Sequence, residues 1–267
     1  MRYFEGCTAL ITGASSGLGA EFACQLAPCA EKIVLVARRG EQLDALKGEL
    51  ESRHPGLKVF VYVMDITREN QNRDFVGWLE REKIRVNFLI NNAGMGDRGP
   101  FATGDWAKIH AMIELNVVAL TRLTHHLLPI LREGGRGAIL NVSSIAGLLP
   151  LPDMAVYAAT KAYVNSFSDG LRMELRDTGI TVTSVLPGPA ETEFGRVASR
   201  GTGESEWESP EALYVSVEEV VRRALVAVAQ NRARVIPGWK VALLMGVAVA
   251  LPLGVLRMIL QRQRGPR

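Results

Sequence analysis

The sequence predicts one α/β domain built on a doubly wound, parallel sheet of seven strands, flanked by helices in three layers, α/β/α. Three observations lead there. Short apolar runs alternate with longer helical patterns along most of the 267 residues. The runs are apolar almost throughout, not at every second residue, as strands covered on both faces are. The first run also leads directly into a glycine-rich turn and then a helical pattern, the local order of a nucleotide-binding βα unit.

Taken in order, the expected strands are Thr8–Thr12, Lys32–Ala37, Lys58–Val63, Val86–Ile90, Gly137–Val142, Thr181–Leu186 and Ala233–Ile236. Helical patterns lie between them, for example Glu41–Glu51, Asn70–Glu82, Trp106–Arg132 and Asp153–Asp177. This alternation builds a parallel sheet through crossover connections. Ser216-Val217-Glu218-Glu219 reads as a capping box that starts a further helix. Residues 189–215 break the rhythm with Gly201, Gly203, Ser205, Ser209 and Pro210, and so long a stretch is expected to be a lid over a site.

Bulk properties exclude several functions. With 31 Lys+Arg against 28 Asp+Glu, the net charge of +3 gives no general reason to expect nucleic acid as a partner. Cys7, Cys24 and Cys29 form an odd, sparse set without metal-ligand spacing, so neither a disulfide frame nor a metal site is expected. Met1–Gly6 carries Arg2 and Glu5 and no long apolar run, which argues against a signal peptide and for a cytoplasmic catalytic domain.

The turn after the first strand reads Thr12-Gly13-Ala14-Ser15-Ser16-Gly17-Leu18-Gly19. Glycines allow a sharp turn and close approach of a ligand. The helix that follows offers free N–H groups and the positive end of its dipole, which suits a pyrophosphate. A Rossmann-like fold binding a dinucleotide is the expectation. The second strand ends in Ala37-Arg38-Arg39, where NAD sites carry an acid. Either guanidinium can pair with a 2′-phosphate, so NADP(H) is the preferred cofactor, with NAD(H) as the alternative.

Tyr157 and Lys161 stand four residues apart, on one face of a helix. A nearby ammonium favours the phenolate and is expected to lower the tyrosine pKa from roughly 10. Such a phenol can exchange a proton with a carbonyl or alcohol oxygen. Ser143 and Ser144 follow the strand Gly137–Val142, and strand carboxyl ends are where open α/β sheets bind ligands.

Together, Thr12–Gly19, Asn91-Asn92-Ala93-Gly94, Ser144, Tyr157-x3-Lys161 and Pro187-Gly188 resemble the short-chain dehydrogenases/reductases (SDR) in order and spacing, over roughly residues 5–238. The resemblance implies roles. Tyr157 is the general acid/base. Lys161 tunes it and holds the nicotinamide ribose. Ser144, thirteen residues before Tyr157, is the catalytic serine, with Ser143 as the fallback. Asn116 holds a water in a proton relay. Gly13, Ser15, Ser16, Gly17, Leu18 and Gly19 form the cofactor turn. Asp65 and Ile66 meet the adenine ring. Asn91, Asn92, Ala93 and Gly94 support the sheet and line the adenosine ribose. Pro187, Gly188 and Thr192 lie near the nicotinamide carboxamide, and Arg38 resembles the basic residue of NADP-preferring members. Ala190 departs from the family, in which a β-branched residue is frequent there. The implied activity is interconversion of a carbonyl and an alcohol by hydride transfer. The implied assembly is a homodimer or homotetramer, through helices around Asn116 and Tyr157.

On this reading residues 1–238 are the NAD(P)-binding catalytic domain, and residues 239–267 are an apolar, basic tail. Val241–Leu256 contains no charge, and Arg257, Arg262, Arg264 and Arg267 follow. The run is shorter than the roughly 18–20 residues of a membrane span and Pro252 should kink it. Three readings stay open: contact with the surface of a membrane at its inner face, burial against protein, and a true span. Phe194, Val197, Trp207, Leu213 and Tyr214 in the lid suggest a fairly hydrophobic small-molecule substrate. Two non-enzyme readings are an NADPH-binding regulatory or scaffold protein without turnover and a membrane adaptor held by the tail. The full set of Ser144, Tyr157, Lys161 and Asn116 weighs against both.

Overall fold

A computed structural model describes residues 2–189, Gly195, Ala198 and residues 213–262. Seven strands form one parallel sheet: β1 Cys7–Thr12, β2 Ala30–Ala37, β3 Lys58–Val63, β4 Phe88–Asn91, β5 Gly137–Val142, β6 Ile180–Val185 and β7 Arg234–Val235. Their order is β3-β2-β1-β4-β5-β6-β7. The chain winds outward first through β2 and β3, then returns to the centre and winds the other way from β4. The crevice at that reversal, beyond the carboxyl ends of β1 and β4, is where such sheets take ligands.

Every residue of β1, β4 and β5 is buried, which explains their unbroken apolar character. Successive side chains point to opposite faces. Ala9 and Ile11 therefore pack with Phe22 and Leu26 of α1 (Gly17–Leu26), Leu43 and Leu50 of α2 (Gly40–Arg53), and Val221 and Leu225 of the helix Val217–Ala229. Leu10, between them, packs on the other face with Phe75 and Leu79 of α3 (Glu69–Arg81) and with Leu123 and Leu127. Each such fully buried side chain contributes about 1.5–3 kcal/mol.

The expected strands lie within two residues of the observed ones. The expected helix Trp106–Arg132 does not run through as one α-helix. It consists of α4 (Trp106–Ile113), a π-helical turn over Glu114–Ala119, and α5 (Leu120–Glu133). The π turn inserts extra backbone between two helices and turns Asn116 inward, where its amide is held on both sides. The helix expected over Asp153–Asp177 is α6, Ala155–Glu174; Asp153 has a positive φ of 60° and stands outside it. Half of the expected capping box forms at α7 (Val217–Ala229): Ser216 Oγ accepts from the Glu219 N–H at 3.2 Å. The Glu219 carboxylate turns forward instead, to Arg222 and Arg223.

After β7 the chain forms α8 (Trp239–Ala250) and, past Pro252, α9 (Leu253–Arg262), bent from α8 by 119°. Among the described residues no single helix is long and apolar enough to cross a membrane.

Candidate active site

The β1–α1 turn is shaped by contacts that leave no room for side chains. Gly13 has a φ of 66°, and a Cβ there would sit 2.9 Å from Ala93 Cα. A Cβ on Gly19 would lie 2.2 Å from the Gly13 carbonyl oxygen and 2.6 Å from Asn92 Nδ2. Gly17 is also at positive φ, 54°. Thr12 Oγ1 accepts from the N–H groups of Asn92 and Ala93, both at 3.0 Å, and Asn92 Nδ2 donates to the Thr12 carbonyl at 2.9 Å. The turn is thus locked to the segment after β4. Ser16 precedes α1 without capping it by its side chain, and the first turn carries no acid, so the positive helix end faces the turn. Leu18 anchors it on the core.

Arg39 crosses this turn. Its guanidinium donates to Ser15 Oγ at 3.1 Å and to Ser16 Oγ at 2.6 Å. Arg38 stands exposed at the end of β2 and acts electrostatically on Asp65. Burial alone would raise the Asp65 pKa, but two hydrogen bonds from Thr67 and the charges of Arg38 and Arg68 hold it below the ordinary value. Ile66, beside it, is buried. Gly-rich cradle, twin serines and arginine form a surface suited to a diphosphate and a further phosphate. The residues present fit a dinucleotide.

The chemistry-bearing residues meet at the end of β5. The Ser144 side chain lies beside the Tyr157 phenol and acts to lower its pKa. Ser144 Oγ also accepts from the Ala146 N–H at 3.1 Å. Ser143 faces the opposite way and donates to the Lys161 carbonyl at 3.0 Å, so only Ser144 can meet a ligand beside the phenol. Lys161 Nζ donates to the Val142 carbonyl at 2.9 Å and lies 5.9 Å from the Tyr157 ring centre. Both side chains are buried, and burial acts on them in opposite directions. The phenol is pushed up to about 12, against the effect of Ser144, and the ammonium is pushed down to about 8. The expected lowering of the tyrosine pKa by Lys161 does not appear; burial raises it instead.

Asn116 donates to the Met95 carbonyl at 2.9 Å and to Thr160 Oγ1 at 3.1 Å, and accepts from the Met95 N–H at 3.0 Å. Both amide donors are spent, so its side chain retains only acceptor capacity. Beneath it, Asn91 Nδ2 donates to Thr124 Oγ1 and Asn141 Oδ1, and Asn141 donates to Ser168, which ties β4 and β5 to α5 and α6.

Three features escaped the sequence. Gly147, just after Ser144, presses on α6: a Cβ there would meet Lys161 C at 2.5 Å. Gly94 admits the close approach of Asn116 Oδ1 and Lys161 Nζ, at 3.2 and 3.4 Å from where its Cβ would be. Met112 and Met154, with Met95 against them, pack around Tyr157 as an apolar wall. These come from separate elements, so no spacing pattern announces them; the second close approach was hinted at by the glycine in Asn91-Asn92-Ala93-Gly94. Pro187 offers its carbonyl to the Ile145 N–H at 3.1 Å, and Gly188 abuts Val241 of α8. Thr192 and most of the expected lid lie outside the described residues. No group of three or more metal-ligating side chains occurs among the described residues.

Residues 7–202 match the family described as short chain dehydrogenase. Sulfoacetaldehyde reductase of Chromohalobacter salexigens is 43% identical over 196 residues, covering 72% of this chain and 75% of that protein. A short-chain dehydrogenase from Sphingobium yanoikuyae, solved in complex with NADPH, is 37% identical, with a TM-score of 0.80 over 98% of this chain and 96% of that one. The bulky-bulky ketone specific alcohol dehydrogenase from Comamonas testosteroni is 31% identical, with a TM-score of 0.74 over 92% and 95%. The reading as a scaffold without turnover finds no support among these reductases and dehydrogenases. The convergence of Ser144, Tyr157 and Lys161 beside the glycine turn and the match over most of the chain agree: the chain belongs to the short-chain dehydrogenase family and is an oxidoreductase acting on CH–OH or C=O groups.

Proposed function

We propose that this protein reduces the carbonyl group of a fairly hydrophobic small molecule, with NADPH as the preferred cofactor and NADH as the weaker alternative. The observation that carries the reading is the half-buried Ser144 hydroxyl beside the buried Tyr157 phenol at the end of β5, with Lys161 one helical turn away. NADPH, when bound, supplies the hydride. Gly13, Ser15, Ser16, Gly17, Leu18 and Gly19 would hold its diphosphate, and Asp65 and Ile66 its adenine. Asn92, Ala93 and Gly94 would line the adenosine ribose. Lys161 and Tyr157 would hold the nicotinamide ribose, with Pro187, Gly188 and Thr192 at the carboxamide. Ser144 and Tyr157 hydrogen-bond the carbonyl oxygen and stabilise the charge that develops there. Tyr157, held protonated at neutral pH by its burial, gives its proton to that oxygen, and Lys161 with Asn116 restores it. A protonated phenol favours the reductive direction. The Met95, Met112 and Met154 wall favours an apolar substrate body.

Loss of NADPH absorbance across a panel of aldehydes and ketones tests the reading; cofactor binding with no oxidation on any of them overturns it. Lys161 carries its proton below about pH 8 and loses it above. The reductive kcat/KM is therefore expected to be flat below about pH 8 and to fall above it, whereas alcohol oxidation rises over the same range. A pH–rate profile in both directions checks this.

Of the two arginines, Arg39 already bridges to the turn serines, and we assign it the 2′-phosphate, with Arg38 secondary. Removing charge-assisted bonds worth about 1.5–3 kcal/mol predicts a KM for NADPH raised roughly 10- to 150-fold in Arg39→Ala, with the KM for NADH little changed. Equal effects on both cofactors would move the phosphate contact elsewhere.

A homo-oligomer and a cytoplasmic location complete the proposal. For the first, the outer face of α6 offers small residues at helical spacing, Ala162, Ser166 and Gly170, beside exposed Tyr163 and Met173. Asn165 is buried there without a hydrogen-bond partner for its amide. Sedimentation velocity of the full chain tests it.

A further inference from the structure

Nine of the sixteen exposed large hydrophobic side chains among the described residues lie between Trp239 and Ile259. They belong to α8 and α9. Helix α8 is apolar all round, yet only Val241 and Met245 are buried. Trp239 is 74%, Leu243 64% and Val247 56% exposed to solvent. A helix apolar on every side is normally covered on every side, by protein or by lipid. Within this segment the charge has one sign. Lys240, Arg257 and Arg262 lie on the two helices, Arg264 and Arg267 follow, and no Asp or Glu occurs from residue 239 to residue 267.

We propose that α8 and α9 dock the protein on the surface of an anionic lipid bilayer. Charge selects this occupant over a second tail. A tail-to-tail contact would set the same cations against one another with no acid to offset them, whereas anionic lipid neutralises them. Each cation near such a surface strengthens partition by about fivefold. Length selects surface docking over spanning: α8 is about 18 Å long against a hydrocarbon core of about 30 Å, and the 119° bend turns α9 away from its line. Apolar side chains enter the headgroup boundary and Trp239 and Lys240 sit at its edge.

The docked helix borders the active site. Val241 packs against Gly188, and Ile145, next to Ser144, reaches the same glycine. Docking thus brings the cleft to the lipid, and its substrate class becomes an apolar carbonyl compound dissolved in the bilayer; this last step rests on the proposed carbonyl reduction.

Flotation of the full chain with vesicles of phosphatidylcholine, alone or mixed with phosphatidylglycerol, tests the docking. The protein is expected to float with the mixed vesicles, to float at least tenfold less with phosphatidylcholine alone, and to be released by high salt. The double variant Leu243→Glu/Val247→Glu changes exposed positions only. It is expected to keep its thermal midpoint and its NADPH-dependent reduction of a water-soluble aldehyde, and to lose at least tenfold in vesicle binding. The KM for a long-chain ketone should fall on adding mixed vesicles to the unaltered protein and stay put for the variant. Absence of flotation overturns the docking, as does an oligomer that dissociates in the double variant while neither protein floats. Flotation with no vesicle effect on the ketone KM overturns the substrate class alone. Loss of reduction with every carbonyl, vesicles present or absent, overturns the catalytic reading and leaves the docking standing.

Discussion

Tyr157→Phe is expected to lower kcat by about a thousandfold or more while leaving NADPH affinity close to that of the unaltered protein. The substitution removes one oxygen from the reacting centre and keeps the ring that fills the apolar wall of Met112, Met154 and Ala146. Without the phenol, the oxygen of the reduced substrate gains negative charge with no acid at hand. Positioned general acids are worth about 10²–10⁴ in rate, and loss of a hydrogen-bond donor to the developing charge adds to that. Ser144 remains hydrogen-bonded to the Ala146 N–H, so the local backbone keeps its shape. The cost in stability should stay near about 1 kcal/mol. Single-turnover rates, a fluorescence titration with NADPH and a thermal melt separate the three quantities. Near-normal turnover in the variant would overturn Tyr157 as the proton donor.

The second large effect is expected at a residue with no reactive group. Gly147→Ala places a Cβ 2.5 Å from Lys161 C and 2.7 Å from Ala162 N, both backbone atoms of α6. Neither is the end of a flexible side chain, so the turn after Ser144 must move away from the helix that carries Tyr157 and Lys161. Forced overpacking costs about 1–3 kcal/mol. The same shift separates Ser144 from Tyr157, and a displacement near 1 Å can cost about a hundredfold in rate. A fall in thermal midpoint together with a ten- to hundredfold fall in kcat is the expected outcome. Gly48→Ala is the control: it lies in α2 with no atom near the added Cβ, and should raise stability by up to about 1 kcal/mol with unchanged rate. Unchanged kcat and midpoint in Gly147→Ala would show that the contact relaxes without consequence.

The two substitutions also mark what is legible in a sequence. Tyr157 is visible because its partner Lys161 is one helical turn away, and helix periodicity places them together whatever else the chain does. The glycine turn is visible because strand, turn and helix are contiguous. The central strands of the sheet are visible because burial on both faces writes an apolar run into each. Gly147 is silent: its neighbour is fourteen positions on, and only the packing of the turn against α6 makes its missing side chain matter.

Other features divide along the same line. That an arginine marks the cofactor phosphate is read from Arg38-Arg39; that Arg39 is the one already bonded to Ser15 and Ser16 needs the fold. The helix around Asn116 is read from its pattern, but the π turn is not, because the partner of Asn116, Met95, lies twenty-one positions away in the segment after β4. The expected acidity of Tyr157 failed for a similar reason. Sequence supplies the neighbouring lysine, whereas the burial that raises the phenol is a property of the packed interior.

By itself, then, the sequence determined the order of strands and helices, the glycine turn after the first strand and the placing of Tyr157 and Lys161 on one helix face, since each is encoded by neighbours a few positions apart. Tertiary structure alone decided which arginine meets the turn, how far burial moves the two titrating groups, and which faces of α8 stay uncovered. Those depend on distances through space between segments far apart in the chain, and on how completely water is removed between them.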